Sequence, residues 1–248
     1  MISHFVLTRF NELYPESKDN NHLNPEWLQH RLSLFRSITI PSIECQTDQD
    51  FHWLVKLHCD TPKWVREEIK NHKITPDYRK DKEVEQLICS RRMCDSLFLK
   101  VYPCNRMICR HYFRNTIKSM IKPDTTKIIT TSLDSDDGLS CDHIEQVKRH
   151  ATLGRFIDFE DGIVIENDEP PKYATKIHKH ASPFYSYCES PRNIRTFFYL
   201  PHHIASNTDY LKGAGWAQRI HGRNLLNNAT PLPIANKQLL QRFPYVCF

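Results

Sequence analysis

The residues that point most clearly to a chemical function are three carboxylates within four positions, in the segment Asp134-Ser135-Asp136-Asp137-Gly138. Carboxylates this close repel one another, and they are tolerated mainly where a cation or a cationic ligand sits among them. The apolar run at 127–133 predicts a strand directly before them, and open α/β sheets bind ligands at the carboxyl ends of strands. An Asp-x-Asp pair there can hold Mg²⁺ or Mn²⁺ and leave coordination positions for substrate phosphates. The plainer alternative is an acidic turn that leads into the next helix.

The elements that must position these carboxylates alternate between strand and helix along the first 150 residues. Apolar runs predict strands at 4–9, 51–57, 96–102 and 127–133, and helical periodicity predicts helices at 26–43, 63–72, 106–121 and 141–152. This alternation predicts an α/β fold with a central, mostly parallel sheet flanked by helices. The segment 155–168 predicts a hairpin that turns at residues 160–162. The C-terminal segment is rich in Pro, His and aromatic residues and predicts a loop-rich lid over one end of the sheet.

Composition places the chain among globular proteins. It has 248 residues, 40% hydrophobic and 25% charged, with a net charge of +5, which argues against disorder and against a dedicated nucleic-acid binder. It contains no run of 18 apolar residues and no signal-peptide pattern at its start, so we expect neither a membrane span nor secretion. Nine cysteines without a C-x-x-C pair favour free thiols in a reducing compartment, and we expect a cytoplasmic location.

Six segments together resemble the rhamnosyltransferase family, whose members are glycosyltransferases of the GT-A type. They are HFVLTRFN (4–11), WLQHRLSLF (27–35), PSIECQT (41–47), FHWLVKLHCDTP (51–62), TTSLDSDDGL (130–139) and GWAQRIHGRN (215–224). These segments reach both ends of the chain, so the resemblance implies one GT-A-like domain over 1–248. Residues 1–140 would then form the nucleotide-binding half and 141–248 the acceptor and lid half.

The resemblance also implies where a nucleotide-sugar donor binds. Thr8 and Arg9 match the point where the first strand meets the nucleotide, and the planar guanidinium of Arg9 could pair with the diphosphate. Asp60 matches the carboxylate that contacts the base or ribose. Asp134 begins the Asp-x-Asp motif and belongs to the same binding set.

A metal site follows from the same resemblance. Asp134 and Asp136 would hold Mn²⁺ or Mg²⁺, with Asp137 as a further carboxylate at the reaction centre. His221 falls where related folds return a late histidine to the metal or the diphosphate.

The general base is predicted with less guidance from the motifs. Glycosyl transfer with inversion needs a carboxylate or histidine that takes the proton of the acceptor hydroxyl. Glu189 is the first candidate because it follows the aromatic segment ASPFYSYC, and aromatic loops often face sugar rings. Asp158 and Asp161 are the alternatives.

The predicted function is metal-dependent transfer of a hexose, such as rhamnose, to a glycan or glycolipid acceptor. The donor would be a UDP-, dTDP- or GDP-linked sugar. One alternative is a non-catalytic module that binds nucleic acid or an anionic surface through a basic ridge on the helix at 106–122. Another is a metal-dependent nucleotidyltransferase or phosphohydrolase that uses the same carboxylates.

Overall fold

A mixed α/β fold is seen in the computed structural model, which describes residues 1–11, 21–58, 60–71, 85–88, 106–166, 170–175, 182–199, 207–221, 230–235 and 237–246. The strands are β1 (Ile2–Arg9), β2 (His52–Leu57), β3 (Glu85–Ile88), β4 (Lys127–Ser132), β5 (Gly138–Leu139), β6 (Phe156–Glu166), β7 (Lys172–Thr175), β8 (Ser186–Glu189), β9 (Thr208–Ile220) and β10 (Thr230–Ile234). The helices are α1 (Pro25–Leu34), α2 (Ile40–Glu44), α3 (Lys63–Asn71), α4 (Arg106–Met120), α5 (His143–His150) and α6 (Lys237–Leu240).

The first half of the chain forms the parallel part of the sheet, as predicted. The strands lie in the order β4-β1-β2-β3, and each neighbouring pair is parallel. β1 is buried on both faces, since Val6 joins the core under α1 while Phe5 and Leu7 pack towards α4. The carboxyl ends of these strands therefore meet at one edge of the sheet. The predicted strand at 96–102 lies outside the described residues.

α1 and α2 form one helical run broken by a π-turn, in place of the single predicted helix. Asn24 caps α1 by accepting a hydrogen bond from the Trp27 N–H, and residues 35–39 form the π-turn between the two helices. Pro41 sits in the first turn of α2, just after the π-turn. The widened turn lets the chain pass a proline without ending the helix.

The predicted hairpin at 160–162 is wrong, because residues 156–166 form the single strand β6. The Glu-Asp-Gly sequence is a turn signal, but here the register against β9 shifts between Phe159, Asp161 and Gly162. A Cβ built on Gly162 would lie 2.1 Å from the Trp216 ring, so glycine is needed where this ring crosses the strand. Tertiary pairing thus overrides the local turn signal.

The C-terminal segment adds strands to the sheet where a loop-rich lid was expected. β9 is a strand of 13 residues that pairs with β6 in parallel and with β5 in antiparallel orientation, while β7, β8 and β10 pair antiparallel with their neighbours. The second half of the fold is therefore mostly antiparallel. Its consequence for the site is that the end of β9 lies beside the loop that follows β4.

Two other sequence expectations can be compared with the structure. Cys45 and Cys141 form a disulfide with a Cα–Cα distance of 5.1 Å, which corrects the expectation of free thiols for this pair. In α4, Phe113 and Ile117 are buried and Lys118 is exposed, as an amphipathic helix requires. None of the described helices is long and apolar enough to cross a membrane.

Candidate active site

The acidic residues lie in the loop between β4 and β5, and Asp134–Gly138 is called the acidic loop below. The loop leaves the sheet at the carboxyl end of β4, beside the end of β1, where the Leu133 N–H donates to the Leu7 carbonyl at 3.2 Å. β5 then pairs with β9, which carries the chain segment 218–221 past the loop. Three elements distant in sequence therefore converge on these carboxylates: β1, the helical run from α1 to α2, and β9.

Asp136 is the most enclosed ion-pair partner of the loop. Its Oδ2 lies 2.6 Å from Nη1 of Arg31 and 2.9 Å from Nε2 of His221, and only 10% of its side chain is exposed. Burial alone would raise the pKa of Asp136, but the hydrogen bond from His221 and the charge of Arg31 outweigh it and lower that pKa. Asp136 is therefore an ionised carboxylate that holds two side chains in place. His30 adds a ring contact to His221, with centroids 5.2 Å apart.

Asp134 faces solvent more than Asp136 does. Its Oδ1 lies 3.4 Å from Nη2 of Arg9, and 40% of its side chain is exposed. The guanidinium of Arg9 also lies 5.6 Å from the centroid of the Phe198 ring. Arg9, at the end of β1, therefore contacts the acidic loop, while its predicted pairing with a diphosphate stays a prediction.

Asp137 is buried behind the other two carboxylates. Its Oδ1 accepts the Arg219 N–H at 2.9 Å, and its carbonyl accepts the Thr39 hydroxyl at 2.9 Å. Burial raises the pKa of Asp137 well above its usual value, and the neighbouring Asp136 and Asp134 raise it further. These surroundings favour the protonated form, so Asp137 supports the loop from inside.

A second polar cluster occupies the ends of β1 and β2. Asn11 is fully buried, donates to the His22 carbonyl at 3.1 Å and accepts the His58 N–H at 3.1 Å. The rings of His22 and His58 meet edge to face at 4.8 Å. Burial, with the neighbouring His58 as a second cause, lowers the pKa of His22 to about 4. Asp60 is exposed at the rim of this cluster, and its N–H donates to His58 Nδ1 at 3.1 Å.

Two predicted residues have their side chains bound elsewhere than at the acidic loop. Thr8 is fully buried, and its hydroxyl accepts the Trp53 indole N–H at 3.0 Å, so this side chain belongs to the core. Glu189 pairs across from Ile128 near the start of β4, whereas the acidic loop follows the end of β4. The Glu189 carboxylate accepts backbone N–H groups of Arg195 and Thr196 at 2.6 and 2.7 Å. The structure thus directs the Thr8 side chain into the core and places Glu189 at the other end of β4 from the loop.

The alternative bases have structural partners as well. Asp158 is buried, accepts the Ser182 hydroxyl at 2.6 Å, and also accepts the Ser182 N–H. Asp161 lies in β6 opposite Thr175 and raises the pKa of the Tyr173 hydroxyl, after burial as the main cause. Both carboxylates therefore interact with groups beside β6.

The carboxylates of the acidic loop have protein partners where a divalent cation could bind. Mg²⁺ takes one or two carboxylates from a protein, and waters and substrate phosphates complete its ligands. Here Asp136 contacts Arg31 and His221, Asp134 contacts Arg9, and Asp137 accepts the Arg219 N–H. Over the described ranges, no three His, Cys, Asp or Glu side chains are grouped so that they could hold a metal ion.

Sequence reasoning missed Arg31 and Asn11, although both lie in segments that carried the family resemblance. A signal for Arg31 was available, because it stands three residues after buried Leu28 and four after Trp27, on the inward side of α1. An arginine in such a stripe requires a buried partner. Asn11 offered no comparable signal, since a polar residue after a strand is ordinary.

The chain is similar to one protein family and to several solved structures. The family model described as "Putative rhamnosyl transferase" matches residues 7–232. No curated protein matches the chain at a significant level. Solved structures that are similar include S. aureus TarS 1–349 in complex with UDP (TM-score 0.49, 9% identity, 89% of this chain and 61% of that one). S. aureus TarS is similar too, with a TM-score of 0.43 and 12% identity over 88% of this chain and 36% of that one. TarS 1–349 has a TM-score of 0.46 and 8% identity over 88% of this chain and 60% of that one. The chain therefore spans less than two thirds of the length of these structures.

Proposed function

Because this chain belongs to the family described as "Putative rhamnosyl transferase", we propose that it transfers a hexose from a nucleoside-diphosphate sugar to a glycan or glycolipid acceptor. Rhamnose is the sugar that the family description favours. The observation that carries the proposal is the acidic loop itself, which stands at the carboxyl edge of the parallel strands with Arg9 and Arg31 against it. Ligands of open α/β sheets bind at this edge.

The proposed donor lies along the ends of β1 and β2. The nucleoside would contact the cluster of Asn11, His22 and His58, with Asp60 at the rim. The low pKa of His22 keeps this ring neutral near pH 7, which suits a base or ribose better than a phosphate. The diphosphate would then lie towards Arg9, and UDP-, dTDP- and GDP-linked sugars are all candidates.

The chemistry that this arrangement supports is stabilisation of the departing diphosphate. As the acceptor oxygen bonds to the anomeric carbon, the bond from that carbon to the diphosphate breaks and the diphosphate gains negative charge. Fixed cationic N–H groups placed at that charge stabilise the transition state. Arginine suits this task because its planar fork of donors matches phosphate oxygens.

The proposal assigns no general base and no divalent ion. Glu189 and Asp158 are buried and hydrogen-bonded to backbone N–H groups, so neither is used as the base. Transfer with inversion, Mn²⁺ or Mg²⁺ dependence and a cytoplasmic location remain predictions of the sequence. The basic-ridge alternative has no observation among the described residues that favours it over a solvated helix face.

Thermal stability with added nucleotide tests the proposal. A ligand at 100 times its Kd stabilises the folded state by about 2.7 kcal/mol, which raises the Tm of a chain of this size by roughly 5–10 °C. We expect UDP, dTDP or GDP to do so in buffer with Mn²⁺, and Arg9→Gln to reduce the shift. Arg149→Gln is the matched control, because Arg149 is an exposed arginine on α5 that pairs with Glu145.

Two results would contradict the proposed site. If no nucleoside diphosphate raises the Tm, the chain does not bind such a donor. If Arg9→Gln and Arg149→Gln respond alike, the donor does not bind beside the acidic loop. A shift produced by an oligonucleotide, and lost steeply with added salt, would instead support the nucleic-acid module.

A further inference from the structure

Arg31 reaches the acidic loop from a different direction than Arg9 does. It projects from α1, where its guanidinium lies 4.9 Å from the centroid of the Trp27 ring and 2.6 Å from Asp136. Packing over an indole ring and pairing with a carboxylate fix the guanidinium on two sides. The Arg31 side chain keeps 17% of its surface exposed, so it is held firmly without being fully enclosed.

The carboxylates of the acidic loop already have protein partners. Asp134 and Asp136 each pair with an arginine, and Asp137 is buried and accepts the Arg219 N–H. A divalent ion that took the place of Arg31 at Asp136 Oδ2 would break a contact at which the carboxylate is only 10% exposed. Separating a largely buried pair is costly unless both charges find new partners.

We propose that Arg31, held by Asp136, binds the diphosphate of the donor in the position that the Asp-x-Asp motif would otherwise give to a divalent ion. The inference rests on the proposed function. Asp136 then acts as a positioning residue for the arginine. Nucleoside diphosphates bind to the protein without Mn²⁺ or Mg²⁺.

The chemistry of the guanidinium allows both roles at once. Arginine has five N–H donors in a planar fork and no acceptor, and the contact with Asp136 is made through Nη1. Donors on the other edge of the fork can point to phosphate oxygens while the carboxylate keeps the group in place. Arg9 lies at the other carboxylate of the motif, where its Nη2 is 3.4 Å from the more exposed Asp134.

Calorimetric titration with UDP, dTDP and GDP tests this inference, first on the unmodified protein. Each nucleotide is titrated in EDTA and again with Mn²⁺ in excess. We expect the nucleotide that binds to have the same Kd within about threefold in both buffers. This part of the experiment needs no variant, so it does not depend on the folding of an altered chain.

Variants then assign the effect to Arg31. Arg31→Gln should weaken binding in EDTA by roughly 10- to 100-fold, the usual effect of losing one charge-assisted hydrogen bond. Arg36→Gln is the matched control, because Arg36 follows five residues later and pairs with Glu68 at the surface. We expect no change in its Kd. Since Arg31→Gln leaves Asp136 with one cation fewer, Arg31→Lys is measured beside it, and it should retain the fold and bind more weakly than the parent.

Each outcome has a distinct meaning. Binding that requires Mn²⁺, and that survives in Arg31→Gln or Arg31→Lys, overturns the inference and leaves the proposed function intact. Equal affinities of the parent and the Arg31 variants in EDTA also overturn it. If no nucleoside diphosphate binds in either buffer, the proposed function fails and the inference fails with it.

Discussion

Removing the disulfide between Cys45 and Cys141 should destabilise the protein by a large and calculable amount. Cys45 directly follows α2 and Cys141 follows β5, and their sequence separation is 96. Closing a loop of that length removes chain entropy from the unfolded state worth about 4.7 kcal/mol at 25 °C. For a chain of this size, such a change corresponds to a Tm lower by roughly 10–20 °C.

The structure gives this bond a function near the site. The Thr47 N–H donates to the Cys141 carbonyl at 2.7 Å, and the buried Gln46 side chain donates to the Ser140 carbonyl at 2.8 Å. These contacts fasten the segment just after the acidic loop to the end of α2. The disulfide is the covalent member of this connection.

Urea denaturation of the oxidised parent, the reduced parent and the double variant Cys45→Ser/Cys141→Ser measures the effect. We expect both altered forms to unfold at similar, lower urea concentrations, and reductant to leave the double variant unchanged. Equal stability of the parent and the double variant within about 1 kcal/mol would refute the loop-entropy reasoning. So would a response of the double variant to reductant, because the effect would then come from other cysteines.

Two further predictions concern buried side chains. Burial lowers the pKa of His143 from 6.5 to about 4, so the unfolded chain binds a proton between these pH values and the folded chain does not. The free energy of unfolding is therefore unaffected by His143 above pH 6.5 and falls by roughly 3 kcal/mol as the pH drops to 4. Urea titrations at pH 7 and 4.5 should show a loss that is larger in the parent than in His143→Gln by most of this amount, because His22, with its pKa also lowered to about 4, contributes its own loss in both proteins. Parallel losses in the two proteins would contradict the prediction. Glu189→Gln should cost about 1–3 kcal/mol of stability, since two backbone N–H groups depend on its carboxylate. Its nucleotide Kd should not change, and a slower transfer rate in a folded variant would restore Glu189 as a base.

The first half of the fold could be predicted because its signals are local and agree with one another. Buried parallel strands are continuous apolar runs, and the amphipathic helices between them have a clear period. The position of the acidic loop at the carboxyl edge of the sheet could therefore be predicted. The boundaries of β2, α3 and β4 lie within about one residue of the prediction. The π-turn before Pro41 was missed, because nothing in the sequence distinguishes it from a helix end.

The second half could not be predicted in the same way, because long-range pairing decides it. The segment around Gly162 carries a turn signal, yet Trp216 lies over this glycine and β9 pairs along the whole strand. Likewise, Glu189 follows an aromatic segment, but the antiparallel register of β8 against β4 places it at the far end of β4 from the acidic loop. The disulfide joins two of nine cysteines 96 positions apart, and a pairing of that kind has no spacing signature.

The pairing of Arg9 and Arg31 with the acidic loop shows the limit for the site. The motifs pointed to Asp134, Asp136 and His221 as metal ligands, and in the structure His221 Nε2 lies 2.9 Å from Asp136 Oδ2. Which arginine pairs with which carboxylate depends on how β1 and α1 pack beside the acidic loop. The spacing of these residues in the sequence does not predict that packing.

Release of nucleotide from nucleotide sugars tests the proposed donor site most directly. The parent is incubated without acceptor with a panel of UDP-, dTDP- and GDP-linked hexoses, dTDP-rhamnose included, and free nucleoside diphosphate is measured over time. We expect slow hydrolysis of one donor above the rate in buffer, at least tenfold slower in Arg9→Gln and unchanged in Arg149→Gln. No release from any donor, or equal release by the parent and Arg9→Gln, would contradict a nucleotide-sugar site at the acidic loop.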